Sequence, residues 1–397
     1  MRPLAVVVGL LVGCLLAEAA VRLYFAWSVG PRVLLYGTGW YRNTTGTDGS
    51  QPKTLTDDEA RQAVAEWARD DSVERHGKAL QGYTKFFPNE LKTTQDPDSG
   101  ERIPVRINGS GFRGADFAPT KAPGVVRVLT LGSSSTFGYY NPDDATYPVL
   151  MERALNAACG GTPRFEVINF AVPHATAEKV AAMFLAEGVA LAPDAVTFYE
   201  GRNDSTLAAD RGGPVERAYA VATRRLLLVA LVDQLLVGER VSLTDPTLKF
   251  EPYAAERSGV FLGHVARILD AARARKIVFV AANQQATSRS PLPHDQEDRL
   301  KLKGVTYAQE TGEIRRRLDR GERVSSFEYS LLVHQRLMQD LRQWAERERL
   351  PFVDVIDALD QDRHLLLSWV HLHPDANRVI ATRFAEALQR QFCPAAR

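Results

Sequence analysis

Three short segments carry residue types that can do chemistry together. Gly132-Ser-Ser-Ser-Thr-Phe-Gly138 follows an apolar, β-branched run. A turn of small residues there exposes a hydroxyl and aims backbone N–H groups at a developing oxyanion. A phosphate cradle is the competing reading, but the segment lacks the P-loop lysine and has no G-x-G-x-x-G. In Tyr199-Glu-Gly-Arg-Asn-Asp-Ser205, the Asn203 amide can donate to the same oxyanion and Asp204 can bind loop amides, although a plain Asx turn also fits. In Trp369-Val-His-Leu-His-Pro-Asp375, His371 stands just before a proline-started helix, where a general base can reach a serine on a neighbouring strand end. His373 is the alternative base.

The surrounding pattern supplies the elements that must position these groups. Val125–Leu131, Phe165–Phe170, Ala195–Tyr199, Ile277–Ala281 and Phe352–Val355 read as buried strands. Helical patterns lie between and after them at Tyr147–Ala158, Ala177–Ala190, Ala254–Arg275, Phe327–Glu348 and Pro374–Gln391. Strand alternating with helix predicts an α/β fold: a doubly wound, flavodoxin-like, five-stranded parallel sheet in a three-layer α/β/α arrangement. Ligands in such sheets sit beyond the carboxyl ends of the strands, where all three segments fall.

Cys159 ends the first of these helices and Cys393 the last, and the topology can place both helices on one face. In an oxidising compartment the two cysteines can pair. Two separate free thiols are the alternative.

Composition narrows the function classes. The 397 residues hold 49 Lys plus Arg against 48 Asp plus Glu, a net charge of +1, so no nucleic-acid partner is expected. Three cysteines, Cys14, Cys159 and Cys393, lie too far apart for a zinc or iron–sulfur signature. No metal and no organic cofactor are expected.

The N-terminus is apolar from Leu4 to Trp27 except at Glu18 and Arg22. As a helix it spans roughly 36 Å against a hydrocarbon core of about 30 Å. We read residues 1–29 as a transmembrane signal-anchor, with the rest of the chain outside the cytoplasm. A lipobox at Leu11-Val-Gly-Cys14 and a cleaved signal peptide are the alternatives. Residues 30–124, with a candidate helix at Thr56–Arg69, read as a spacer and packing extension, and residues 125–397 as the catalytic domain. Two insertions interrupt it. About 204–249 holds an apolar helix, Arg224–Val237, that can cover the crevice or pack elsewhere; about 286–325 reads as a solvated, arginine-rich loop.

The ordered segments, Gly-x-Ser-x-Thr-x-Gly, Gly-x-Asn-Asp and Val-His-Leu-x-Pro, resemble those of the GDSL/SGNH hydrolases. Arg106-Ile-Asn-Gly-Ser-Gly-Phe-Arg-Gly114 is similar to a segment of membrane-anchored members. The resemblance implies Ser134 as nucleophile and His371 as base. It implies an oxyanion hole from the Ser134 N–H, the Asn203 side chain and the N–H of His174, supported by Gly201 and Asp204.

Three positions depart from the family pattern. Ser133 stands for the Asp before the nucleophile, His174 for a glycine, and Ser368 for the triad acid three residues before the histidine. Ser368 can orient the ring but carries no charge, leaving a Ser-His dyad unless Asp362 or Asp375 substitutes. The implied activity is serine-esterase chemistry on an ester substrate. Acyl transfer to an exported glycan and a non-catalytic binding protein are the alternatives.

Overall fold

A computed structural model describes residues 2–28, 78–80, 83–96, 98–206, 228, 249–289, 296–322 and 324–393. The chain divides into two compact units, residues 1–70 with 208–242 and residues 71–207 with 243–397.

In the first unit, helix α1 (Arg2–Ser28) forms over the stretch read as an anchor. Arg22 Nε donates to Glu18 Oε1 at 2.7 Å, and Glu18 Oε2 accepts the Leu228 N–H at 2.7 Å. Among the described residues no helix is long and apolar enough to cross a membrane. The candidate helix Thr56–Arg69 lies outside the described residues, as does Arg224–Val237 apart from Leu228.

The second unit opens with two antiparallel hairpins, β1 (Lys78–Leu80) with β2 (Tyr83–Lys85) and β3 (Leu91–Gln95) with β4 (Arg102–Arg106). These residues do more than space the chain. Tyr83 Oη and Lys85 Nζ donate to Glu187 at 2.6 and 2.5 Å, and Phe86, Val105 and Ile107 pack on Phe137 and Ala171.

The remaining elements are β5 (Val125–Gly132), α2 (Ser134–Phe137), α3 (Tyr147–Ala158), β6 (Arg164–Ala171), α4 (Ala177–Met183), β7 (Ala195–Tyr199), α5 (Arg202–Ser205) and α6 (Phe250–Arg273). Then come β8 (Val278–Asn283), α7 (Gln296–Leu300), α8 (Tyr307–Asp319), α9 (Ser326–Arg347), β9 (Phe352–Asp354), α10 (Val355–Leu359) and α11 (Pro374–Phe392).

The five long-range strands pair in the order β6-β5-β7-β8-β9, all parallel. This is the flavodoxin-like order, whose switch point lies between β5 and β7. Strand alternation splits the core between the two faces. Leu129 and Leu131 join Phe261, Val265, Leu337 and Leu341 of α6 and α9, while Val128 joins Met151, Leu155, Ile380 and Phe384 of α3 and α11.

The insertion read as a solvated loop is packed structure instead. It supplies α7 and α8, buries Tyr307 and Ile314, and opens α8 with a Thr306–Gln309 capping box. Three of its arginines pair with acids: Arg315 with Glu251 and Asp319, Arg317 with Glu328, and Arg320 with Glu322.

Helices α3 and α11 lie side by side, with Tyr147 stacked on Phe384 at 5.6 Å. Cys159 and Cys393, at their C-terminal ends, form a disulfide with a Cα–Cα distance of 5.5 Å.

Candidate active site

Strand β5 delivers Ser134 directly into the first turn of α2. The turn is tight: a Cβ on Gly132 would lie 2.6 Å from the Tyr199 carbonyl oxygen, so only glycine fits. Ser134 is 8% exposed, and its own N–H belongs to the helix turn whose amides have no intrahelical acceptor. The Ser134 carbonyl accepts the N–H groups of Gly138 and Tyr139, each at 3.0 Å.

Arg113 holds the far end of this turn. Its guanidinium is fully buried and donates to the carbonyls of Phe137, Gly138 and Asn141 at 3.2, 2.7 and 2.6 Å. Asp143 Oδ1 accepts from Arg113 Nε at 2.9 Å. A cation at the carboxyl end of a helix satisfies otherwise orphaned carbonyls and the helix dipole together.

The register explains what lies beside the nucleophile. Gly132 pairs with Tyr199, so the next residues, Ser133 and Glu200, become lateral neighbours. Ser133 Oγ donates to Glu200 Oε2 in a short bond, and Glu200 Oε1 accepts the Asn203 N–H at 3.2 Å. Burial, with the Asp204 charge nearby, pushes the Glu200 carboxyl up to about 8. A buried carboxyl thus ties the nucleophile turn to the asparagine turn, from β7 rather than from the position before Ser134.

Asn203 Nδ2 donates to the Ala175 carbonyl at 2.8 Å. An amide nitrogen carries two hydrogens, so this bond fixes the group while the second remains to serve an oxyanion. Asp204 Oδ2 accepts the Ala177 N–H at 2.9 Å, and burial raises its pKa to about 6. A Cβ on Gly201 would meet the tip of the Met338 side chain, which would have to shift to admit it. Between β6 and α4, His174 adopts a φ of 60°, the left-handed conformation that glycine favours. The residue type departs from the family pattern while the backbone takes the glycine-like form.

His371 lies on the loop before α11. Its Nδ1 is 2.8 Å from Ser368 Oγ, which also accepts the N–H groups of His371 and Val370 at 3.1 and 3.3 Å. The ring stacks on Tyr139 at 4.8 Å and 20°, and meets Tyr140 edge-on at 5.4 Å. Burial holds the His371 pKa well below the ordinary histidine value, and a charge on His174 lowers it further.

The alternatives to His371 and Ser368 are engaged elsewhere. His373 Nδ1 caps α11 by accepting the Asp375 N–H, and its Nε2 faces Asp98 at 3.1 Å. Asp362 Oδ1 faces His364 Nδ1 at 3.8 Å, and Asp375 pairs with Arg378 and His373. Among the described residues no carboxylate forms an ion pair with His371, and no cluster of His, Cys, Asp and Glu could hold a metal ion.

The nucleophile and histidine loops are joined directly. Ser135 Oγ donates to the Val370 carbonyl at 2.9 Å, and Asn141 Nδ2 to the Leu372 carbonyl at 2.8 Å. Sequence reasoning assigned no role to Glu200, Arg113, Tyr139 or Tyr140. Only Glu200 carried a local signal, as an acid at the end of a buried strand immediately before the Gly-x-Asn-Asp turn.

A protein-family model described as the GDSL-like Lipase/Acylhydrolase family matches residues 130–379. Among solved structures, the chain is similar to a carbohydrate acetylesterase from Sinorhizobium meliloti, at 14% identity, 67% coverage of this chain, 100% of that chain and a TM-score of 0.39. It is also similar to a member of the lipolytic protein G-D-S-L family from Veillonella parvula, at 11% identity, 67% and 99% coverage and a TM-score of 0.38. An aryl esterase from M. smegmatis matches at 17% identity, 67% and 99% coverage and a TM-score of 0.35. Comparison with curated proteins gave no significant match. The family match spans more than half the chain, from within β5 to within α11, and the chain belongs to the GDSL-like lipase/acylhydrolase family.

Proposed function

We propose that this chain is a serine esterase that works through an acyl-Ser134 intermediate. The observation that carries the reading is the join between the nucleophile and histidine loops through Ser135 and Val370, beside a fixed Asn203 amide. In this mechanism His371 takes the Ser134 proton as Oγ attacks the ester carbonyl. The Ser134 N–H, the Asn203 amide and the His174 N–H receive the oxyanion. The protonated ring then gives its proton to the leaving alcohol, and water releases the acyl group by the same steps.

The catalytic unit works outside the cytoplasm, tethered through α1. The Cys159–Cys393 bond supports an oxidising compartment, because cytosolic thiols are kept reduced. Alkaline carbonate extraction tests the tether: recovery in the supernatant refutes it.

A fluorophosphonate probe applied to the wild type, Ser134→Ala and His371→Ala tests the chemistry. Labelling that requires both residues supports the esterase reading. A folded wild type that does not label overturns it in favour of a binding protein, a reading that Ser368 in the acid position favours. Product formation that depends on an added sugar acceptor would identify acyl transfer instead.

A further inference from the structure

We propose that Tyr139 is a positioning residue that takes over part of the task of the absent triad carboxylate, holding the His371 ring by its face and stabilising the imidazolium formed during acyl transfer. The inference rests on the reading of Ser134 and His371 as nucleophile and base.

When Ser134 Oγ bonds to the substrate carbonyl carbon, the carbonyl π electrons move to oxygen. The hydroxyl proton moves to His371, which becomes a cation. A carboxylate at Nδ1 would lower the energy of that cation and fix the ring. Here the Nδ1 neighbour is the uncharged Ser368 hydroxyl, and the surroundings of the ring disfavour charge.

Tyr139 supplies what the hydroxyl cannot. Its ring lies nearly parallel to the imidazole, at 20° and with centroids 4.8 Å apart. A cation within about 6 Å of an aromatic centroid is attracted to the negative face of the ring, and more strongly where water is excluded. His371 becomes neutral again when the tetrahedral intermediate collapses and the leaving alcohol takes the proton, so the attraction acts while the charge exists.

The turn bearing Tyr139 is built to hold that face in place. Arg113 binds the carbonyls on either side of the two tyrosines, at Gly138 and Asn141. The Tyr140 N–H donates to Thr94 Oγ1 at 3.2 Å, and Tyr140 itself takes a φ of 66°. A non-glycine residue in that conformation is strained, and the surrounding contacts must offset the strain. A buried arginine and a strained tyrosine fix this half-buried turn, and the group they place is the ring against His371.

The test is a double-mutant cycle between Tyr139 and Ser368 on the full-length protein, reading kcat and KM with a short acyl ester that lacks an aromatic group. Tyr139→Phe keeps the ring face and is expected to keep kcat within about threefold. Tyr139→Leu is expected to lower kcat roughly 5- to 30-fold with little change in KM. In a Ser368→Asp background, where a carboxylate is restored, the Leu substitution is expected to cost less than about threefold.

An equal loss in both backgrounds, a loss in KM alone, or no loss in the wild-type background overturns the inference while leaving the esterase reading standing. Fluorophosphonate labelling of the same preparations separates the two. If the folded wild type does not label at Ser134, the esterase reading fails and this inference falls with it.

Discussion

Ser135 Oγ donates to the carbonyl oxygen of Val370 at 2.9 Å, so the residue after the nucleophile is bonded to the residue before the base across 235 positions of sequence. Two loops far apart in sequence are thereby held to one another. Ser135→Ala is expected to cost about 0.5–1.5 kcal/mol of stability through the lost bond and the carbonyl left without it. Its larger effect is expected on kcat, several-fold down with KM unchanged, as steady-state kinetics would show.

Ser368→Asp is expected to raise kcat on the order of tenfold, because the serine leaves the tautomer of His371 undetermined. A hydroxyl already accepting two backbone N–H groups can donate to Nδ1, which puts the ring proton on Nε2, the nitrogen needed as base. A carboxylate only accepts. It also favours the imidazolium, so the acid limb of the kcat/KM profile, which burial holds well below the usual histidine range, is expected to move to higher pH. A pH–rate profile of both proteins checks the shift and its sign.

Glu200 gives a stability signature that is independent of turnover. Its folded pKa, raised to about 8, exceeds that of an unfolded glutamate, so folding favours the protonated form. The contribution is fully present below the unfolded value of about 4.5 and is lost as pH rises through about 8. Glu200→Gln keeps the hydrogen-bonding shape without the ionisation. The gap in melting temperature between the variant and the wild type is therefore expected to widen in the variant's favour from pH 5 to pH 9, by thermal denaturation in matched buffers.

His174 separates the demand for a backbone shape from the demand for a side chain. Because its φ is 60°, His174→Gly is expected to fold with stability within about 1 kcal/mol of the wild type and to retain esterase activity. His174→Val places a β-branched residue in the same conformation and is expected to cost about 1–3 kcal/mol. If the N–H is thereby turned away from the oxyanion, about 10²–10³ in kcat goes with it. Denaturant melts and turnover of the two variants distinguish strain from lost catalysis.

Replacing both Cys159 and Cys393 by serine is expected to destabilise the catalytic unit by about 2–5 kcal/mol, because the bond closes a long loop of the unfolded chain. Reductant is expected to lower the wild-type melting temperature to that of the double variant.

What was legible in the sequence follows from range. Strands β5 to β9 and the helices around them repeat locally, and tight turns demand small residues locally, so a strand at Val125–Leu131 and the Ser134, Asn203 and His371 turns could be located in advance, the observed strand running one residue further. Partnerships set by register could not. Ser133 meets Glu200 because Gly132 pairs with Tyr199, and Arg113 reaches Gly138 because it bridges to Asn169 of β6. The arginine-rich insertion was misread for the same reason: Glu251 and Glu328, which neutralise Arg315 and Arg317, come from other helices.

The bond between Cys159 and Cys393 also orders events in the life of the molecule. It cannot close until α11 has been synthesised and has reached the oxidant, and by then all five strands of the parallel sheet exist. Strand β5 lies outside the covalent ring yet sits between β6 and β7, both inside it. Oxidation ahead of sheet assembly would close a ring around a vacant central slot. A disulfide closed after assembly therefore locks the nucleophile strand between two neighbours that belong to the covalent ring.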